Sequence, residues 1–263
     1  MSPPFFRAAG AAIRDRILAS EPLFRLYLRL RYRAAATARP PASQTENTVL
    51  RHSADIERTV SALGAAGLPI HPDPVKNWDS LLAISAIARH TGPDARILDA
   101  GAMTYSMFLP SLYRLGYRDL TGINLVFPRA MRYGPIRYEP GDITATRFPD
   151  GHFDAIACLS VIEHHVDTDR YLNEMARILK PGGLLITSTD YFDPPVDTAG
   201  RTAYGAPVHI FTRPEIEAFR DAADARGLRL TGELDLTCAE RVVHWRQLDL
   251  RYTFVLMTMR KGR

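Results

Sequence analysis

The chain has 263 residues, 46% apolar and 24% charged, enough to bury a sizeable core without a metal or disulfide staple. Cys158 and Cys238 stand far apart, outside any CxxC or Cys/His spacing, which argues against a disulfide framework and a bound metal and for reduced thiols in a cytoplasmic protein. The net charge of +4 is unevenly placed: residues 1–40 carry eight arginines against Asp15 and Glu21, a net +6, and the rest carries −2, so the basicity belongs to an arm and nucleic acid is not the expected partner.

The arm comes first. Pro22 divides it into two helical stretches, with Ser20 placed to cap the second. Leu23, Leu26, Tyr27 and Leu30 recur there at helical spacing, and Arg25, Arg29 and Arg33 form a second row. Such a helix suits a peripheral contact with an anionic membrane surface. It also suits packing on its own chain or on a second copy in a homodimer, its arginines then simply solvated. No run in the chain approaches the roughly 18 uncharged apolar residues of a membrane span. Residues 34–48, with Pro40 and Pro41, read as a linker, which gives an arm over 1–48, a helical segment over 49–92 and a main domain over 93–263.

From Asn77 onward strands and helices alternate. Asn77 is placed to cap a helix with Trp78, Leu81, Ile84 and Ala88 on one face, ending at Gly92-Pro93. A strand over 96–100 follows, then Gly101 and a helical run to Leu115, a strand over 119–125 and a third near 136–139. The fourth strand, 153–159, is almost continuously apolar, as a strand covered on both faces would be. A helix from near Thr168 stops at Pro181-Gly182-Gly183, and a fifth strand runs over 184–189. Thr212 and Glu215 form a capping box for a helix ending at Gly227, and strands over 228–234 and 252–259 close the pattern. The alternation predicts an α/β fold: a doubly wound, Rossmann-like, mostly parallel seven-stranded sheet with an antiparallel last strand, ligands sitting at the carboxyl ends of the strands.

The first strand-to-helix turn reads Asp99-Ala100-Gly101-Ala102-Met103-Thr104-Tyr105. A dinucleotide fingerprint would want glycines also at Met103 and Ser106, and no Gly-Lys-Ser/Thr follows for a phosphate loop. An acid ending strand 1 with glycine two residues later resembles motif I of class I S-adenosylmethionine-dependent methyltransferases. The likeness continues through Gly122-Ile123-Asn124-Leu125, Gly141-Asp142-Ile143, Leu159-Ser160-Val161-Ile162-Glu163-His164 and Leu179-Lys180-Pro181-Gly182-Gly183, in order over residues 77–260.

This resemblance implies S-adenosyl-L-methionine as cofactor, held by Asp99, Ala100, Gly101, Ala102, Tyr105, Asn124, Leu125, Asp142, Ile143, Leu159 and Ser160. Two departures stand out: Met103 and Tyr105 replace motif glycines, and Asn124 replaces the ribose-binding acid. Methyl transfer to a hydroxyl needs a base beside the methyl group. His164 is the first candidate, with Asp190 and His209 behind it. The implied activity is methylation of a small molecule or glycan at oxygen; the alternative is a catalytically degenerate, cofactor-binding or membrane-peripheral scaffold. The stretch from Tyr191 to Phe211, with Tyr191, Phe192, Tyr204 and His209, reads as an aromatic lid over the acceptor.

Overall fold

The structure is a computed structural model that describes residues 13–41, 45–203 and 205–263. In chain order the helices are α1 (13–19), α2 (Glu21–Tyr32), α3 (Ser53–Ala66), α4 (Lys76–His90), α5 (Phe108–Arg114), α6 (Thr168–Ile178) and α7 (Arg213–Asp224). The strands are β1 (Thr48–Val49), β2 (Arg96–Ala100), β3 (Asp119–Asn124), β4 (Met131–Tyr133), β5 (Ile136–Pro140), β6 (Phe153–Leu159), β7 (Leu179–Tyr191), β8 (Thr202–Ala203), β9 (Ala206–Pro207), β10 (Leu228–Leu230), β11 (Val243–Trp245) and β12 (Leu250–Lys261).

Seven of these strands make the predicted sheet, in the order β5, β3, β2, β6, β7, β12, with β10 on the far side of β12. Pairing is parallel from β5 to β7 and antiparallel on both sides of β12. Short strands the sequence did not announce extend it: β4 beside β5, and β1 and β11 against β12. Alternate residues of each strand feed two cores. Ile97, Ala155, Ile186 and Phe254 pack with α4 and α5, while Leu98, Ile156, Leu185 and Val255 pack with α6 and α7. The chain order reverses between β2 and β6, and the crevice beyond their carboxyl ends is the place where open α/β sheets bind ligands.

Several local expectations shift. Helix α4 begins at Lys76, so Asn77 is not its cap; its side chain instead accepts from His71 N at 2.8 Å and donates to the carbonyls of His71, Asp73 and Pro74. Ser20 sits at the N-cap of α2 without a side-chain bond. The helix after Gly101 is confined to α5, because the turn needs residues 101–107 for itself. Residues 179–183 belong to β7 rather than to a turn, with a register shift opposite Phe153 and Ala155 and Gly183 pressed against Asp154 O. The strand from Leu228 stops at Leu230. The capping box holds: Thr212 N and Oγ1 donate to Glu215 at 2.8 and 2.7 Å.

The arm docks by a face other than the one its leucines suggested. Phe24, Leu28 and Tyr32, one every fourth residue, are buried on Tyr113, Tyr133 and Gly134, whereas Leu23, Leu26 and Leu30 face outward. Leu18 of α1 joins the same core, and the buried carboxylate of Asp15 accepts from Tyr133 and Arg129, both at 2.8 Å.

Candidate active site

The crevice is framed by the ends of β2, β3, β5, β6 and β7 and by the start of α4. At the β2 turn Gly101 adopts φ +94, and a Cβ there would lie 2.4 Å from a methyl of Val161. Only glycine meets both demands. The turn's amides at Gly101 and Ala102 both donate to Ile123 O. Asn124 then locks it from the neighbouring strand: Nδ2 donates to Gly101 O at 3.1 Å and Ala102 O at 3.0 Å, and Oδ1 accepts from Val126 N at 3.0 Å. Asparagine is therefore a brace for the turn, and its donors are not available to a ribose. A carboxylate could not make the two donor bonds.

The residues around this turn fit a cationic, adenine-bearing cofactor in two respects. Asp99 is buried, and among the described residues no hydrogen bond reaches its carboxyl; burial, with the nearby charge of Asp79, pushes its pKa up to about 7. An ammonium or sulfonium group would satisfy it. Tyr105, Leu125 and Val126 lie exposed around the opening, Leu125 at 75%, where a flat apolar ring would cover them. Asp142 spends Oδ1 on Thr144 N and Oγ1 in a local turn at 2.8 and 2.7 Å, with Ile143 buried beside it. Ala100 and Ala102 are buried in the turn's floor. Ser160, at φ +54, turns away from Leu159 to donate to Asp79 at 3.2 Å.

Next to this turn lies a cavity of about 630 Å³ lined by Lys76, Glu163, His164, Asp190, Trp245 and Tyr252, among others. Its floor is a buried charge cluster. Asp79, one turn into α4, accepts from Ser188 Oγ at 2.9 Å and Ser160 Oγ at 3.2 Å, and Glu163 accepts from Thr189 Oγ1 at 3.0 Å. Burial raises the pKa of Asp79 and, with Asp190 as a second cause, that of Glu163; burial pushes Asp190 up to about 7 against the pull of Lys76 and Tyr252. Lys76 is kept charged against its own burial by Asp79, Asp190, Glu163 and Asp73. Its ammonium rests 4.8 Å from the centre of the Phe254 ring. No hydrogen bond or ion pair joins it to another described residue.

Of the three candidate bases, Asp190 and His164 meet at this cavity and His209 does not. His164 sits at the mouth, where burial, then the charges of Lys76 and His165, lower its pKa. His209 lines a separate depression with His165 and Phe219, 3.2 Å from Glu215. The aromatic lid does not assemble as expected. Tyr191 is fully buried with its hydroxyl donating to Leu236 O, Phe192 is packed under Arg241, and Tyr204 lies outside the described residues. The wall is built instead by residues 242–247, with Trp245. Sequence reading missed Lys76, Asp79, Trp245 and Tyr252; the one signal was a lysine, with Asp79 three residues on, opening a helix whose centre, Leu81–Ile87, is almost wholly apolar.

The fold is that of solved S-adenosylmethionine-dependent methyltransferases, and residues 98–187 match the methyltransferase domain family. The chain is similar to a tRNA U34 carboxymethyltransferase of Campylobacter curvus, 26% identical over 64% of this chain and 62% of that one. It is also similar to a ubiquinone/menaquinone biosynthesis C-methyltransferase of Cronobacter sakazakii, 29% identical over 49% of each. The chain thus spans about half to three-fifths of these curated relatives. Among solved structures it shares its fold with a geranyl diphosphate C-methyltransferase of Streptomyces coelicolor (TM-score 0.53, 16% identity, 86% of this chain and 89% of that one). A 1,6-didemethyltoxoflavin N1-methyltransferase of Burkholderia thailandensis gives TM-score 0.51 at 20% identity, over 85% and 94%.

Proposed function

We propose that the protein transfers a methyl group from S-adenosylmethionine to a hydroxyl of a small molecule bound in the cavity between β6, β7, β11 and the start of α4. The observation that carries this is the pairing of an unbonded ammonium, Lys76, with a carboxyl poised near neutrality, Asp190, in one enclosed space beside the Gly101 turn. Asp99, Leu125 and Asp142 would hold the cofactor, which would supply an activated methyl on a sulfonium. Asp190 would accept the proton of the acceptor hydroxyl, and Lys76 would hold the oxyanion so formed for attack on the methyl carbon, the thioether being the leaving group. Glu163, whose pKa is raised well above the ordinary carboxylate value by burial and then by Asp190, resists adding a further negative charge to the floor beside that anion. Trp245 and Tyr252 give the acceptor an apolar, ring-sized wall. Ring-bearing hydroxyl acceptors and sugars both suit that wall.

The test is transfer of labelled methyl to a panel of phenolic, enolic and sugar acceptors, preceded by calorimetric titration with S-adenosylmethionine and S-adenosylhomocysteine. Micromolar binding, about −8 kcal/mol, with label in a hydroxyl-bearing product is expected. Methylation only at carbon or nitrogen overturns the hydroxyl assignment. An absence of binding at millimolar cofactor overturns the reaction and leaves the scaffold reading.

A further inference from the structure

The two arm helices each bury one stripe and present a second. On α2 the buried stripe is Phe24, Leu28 and Tyr32, and the opposite side carries Leu23, Leu26 and Leu30, with Leu30 at 77% exposure. On α1 Asp15 and Leu18 face inward while Ile13 and Ile17 face out. At 100° per residue these outward stripes are bordered by arginines, Arg14 and Arg16 on α1 and Arg29 and Arg31 on α2, all exposed. Docking to the body therefore buries Leu18, Phe24, Leu28 and Tyr32 and leaves five large apolar side chains of the two helices exposed. The large apolar side chains exposed in the described part of the chain are eight, and five of them are these. The other three, Tyr105, Leu125 and Val126, rim the cofactor crevice.

We infer that this outward surface of α1 and α2 docks the protein on an anionic lipid bilayer. Charge favours lipid over another occupant. Residues 1–40 carry +6 while the rest of the chain carries −2, so a second copy would bring a like-charged arm against this one. Arg16, Arg29 and Arg33 form no ion pair with another described residue, leaving their guanidinium groups for phosphate. Leucine and isoleucine on one stripe with arginine on its flanks is the arrangement that enters the headgroup boundary: the apolar groups replace acyl contacts and the long cationic stems reach back to the phosphates. None of the helices among the described residues is long and apolar enough to cross a membrane. The surface is thus an interfacial one, and the inference is independent of the reaction proposed above.

The experiment is co-sedimentation of the full chain with vesicles of phosphatidylcholine, with and without phosphatidylglycerol, at low and high salt. Vesicles containing phosphatidylglycerol should bind about tenfold more tightly, with the preference shrinking as salt rises. The double variant Leu26→Ser with Leu30→Ser should lose about tenfold in vesicle affinity while keeping the wild-type circular dichroism, thermal midpoint and cofactor titration. Arg16→Glu with Arg29→Glu should remove the preference for phosphatidylglycerol. Equal binding to both vesicle types, or binding to neither, overturns the inference. So does a dimer in light scattering that the serine variant dissolves while vesicle binding stays absent, since the occupant is then a second copy. Because the cofactor titration is read on the same samples, failure here is distinguishable from failure of the reaction.

Discussion

The two halves of the crevice solve opposite problems. On the β2–β3 side polarity is settled internally: Asn124 and the amides of Gly101 and Ala102 bond to neighbouring backbone, and what faces the opening is largely apolar, with the buried Asp99 carboxyl as the exception. On the β6–β7 side charge is left unsettled. Lys76, Asp79, Glu163 and Asp190 share a buried floor with one positive group among three acids. A satisfied wall holds shape and position, whereas a frustrated one changes protonation cheaply. Binding needs the first and proton transfer the second.

The comparison breaks most visibly at Asp190. Asp190→Asn keeps the shape and removes the base, so turnover should fall about 10²–10⁴-fold with cofactor affinity within about twofold. In the wild type, kcat/KM should rise with pH through about 7 as Asp190 loses its proton. A variant that turns over normally would return the role to His164. Lys76→Met comes next: it removes the oxyanion's partner while keeping the stem on Phe254, and about 10²-fold should be lost from kcat/KM. The loss should be largest for the least acidic acceptors, a slope that a purely structural lysine would not produce.

On the other side, Asn124→Asp would restore the family's usual acid. Here it should cost about 1–3 kcal/mol of stability, because a carboxylate meets the carbonyls of Gly101 and Ala102 where two donors stood. Chemical denaturation reads this directly, and a gain in cofactor affinity at unchanged stability would refute the brace.

Asp99→Asn gives the mirror result. Since the folded state raises this pKa, its cost grows from about pH 4 to about pH 7 and is constant above. The amide should therefore stabilise the cofactor-free protein by up to ~4 kcal/mol at pH 8, little at pH 4, and weaken cofactor binding. The smallest effect is expected at His209→Ala, less than about twofold in turnover, because its ring is held by Glu215 in a different depression.

The β2–β3 side of the crevice was the more legible in local structure because its parts are short-range. Asp99 to Tyr105 is a single turn, and Gly122-Ile123-Asn124 and Gly141-Asp142 end strands whose periodicity is plain. What escaped there was the direction of Asn124, since spacing locates a side chain without saying whether it turns toward ligand or backbone. The acceptor side draws Lys76 from the start of a helix, Asp190 from the end of a strand and Tyr252 from another strand 62 positions later in the chain. No local pattern joins them. They meet because β12 lies beside β7 with Phe254 opposite Asp190 and α4 crosses that same face. The arm shows a third kind of limit. Two apolar stripes on one helix give a sequence two equal candidates for the inner face, and Gly134, which lets Phe24 approach, decided between them.

One feature of the sheet bears on how the molecule comes into being. β12 follows every other strand in the chain and yet pairs with four of them, β1, β7, β10 and β11. During synthesis the parallel half from β5 to β7 emerges with one long edge open, and nothing local can close it. Tyr252 and Phe254 complete the acceptor cavity only when that strand arrives. Until then the nascent protein holds the Gly101 turn without the cavity beside it, and its exposed β7 edge is the segment a folding helper would have to guard.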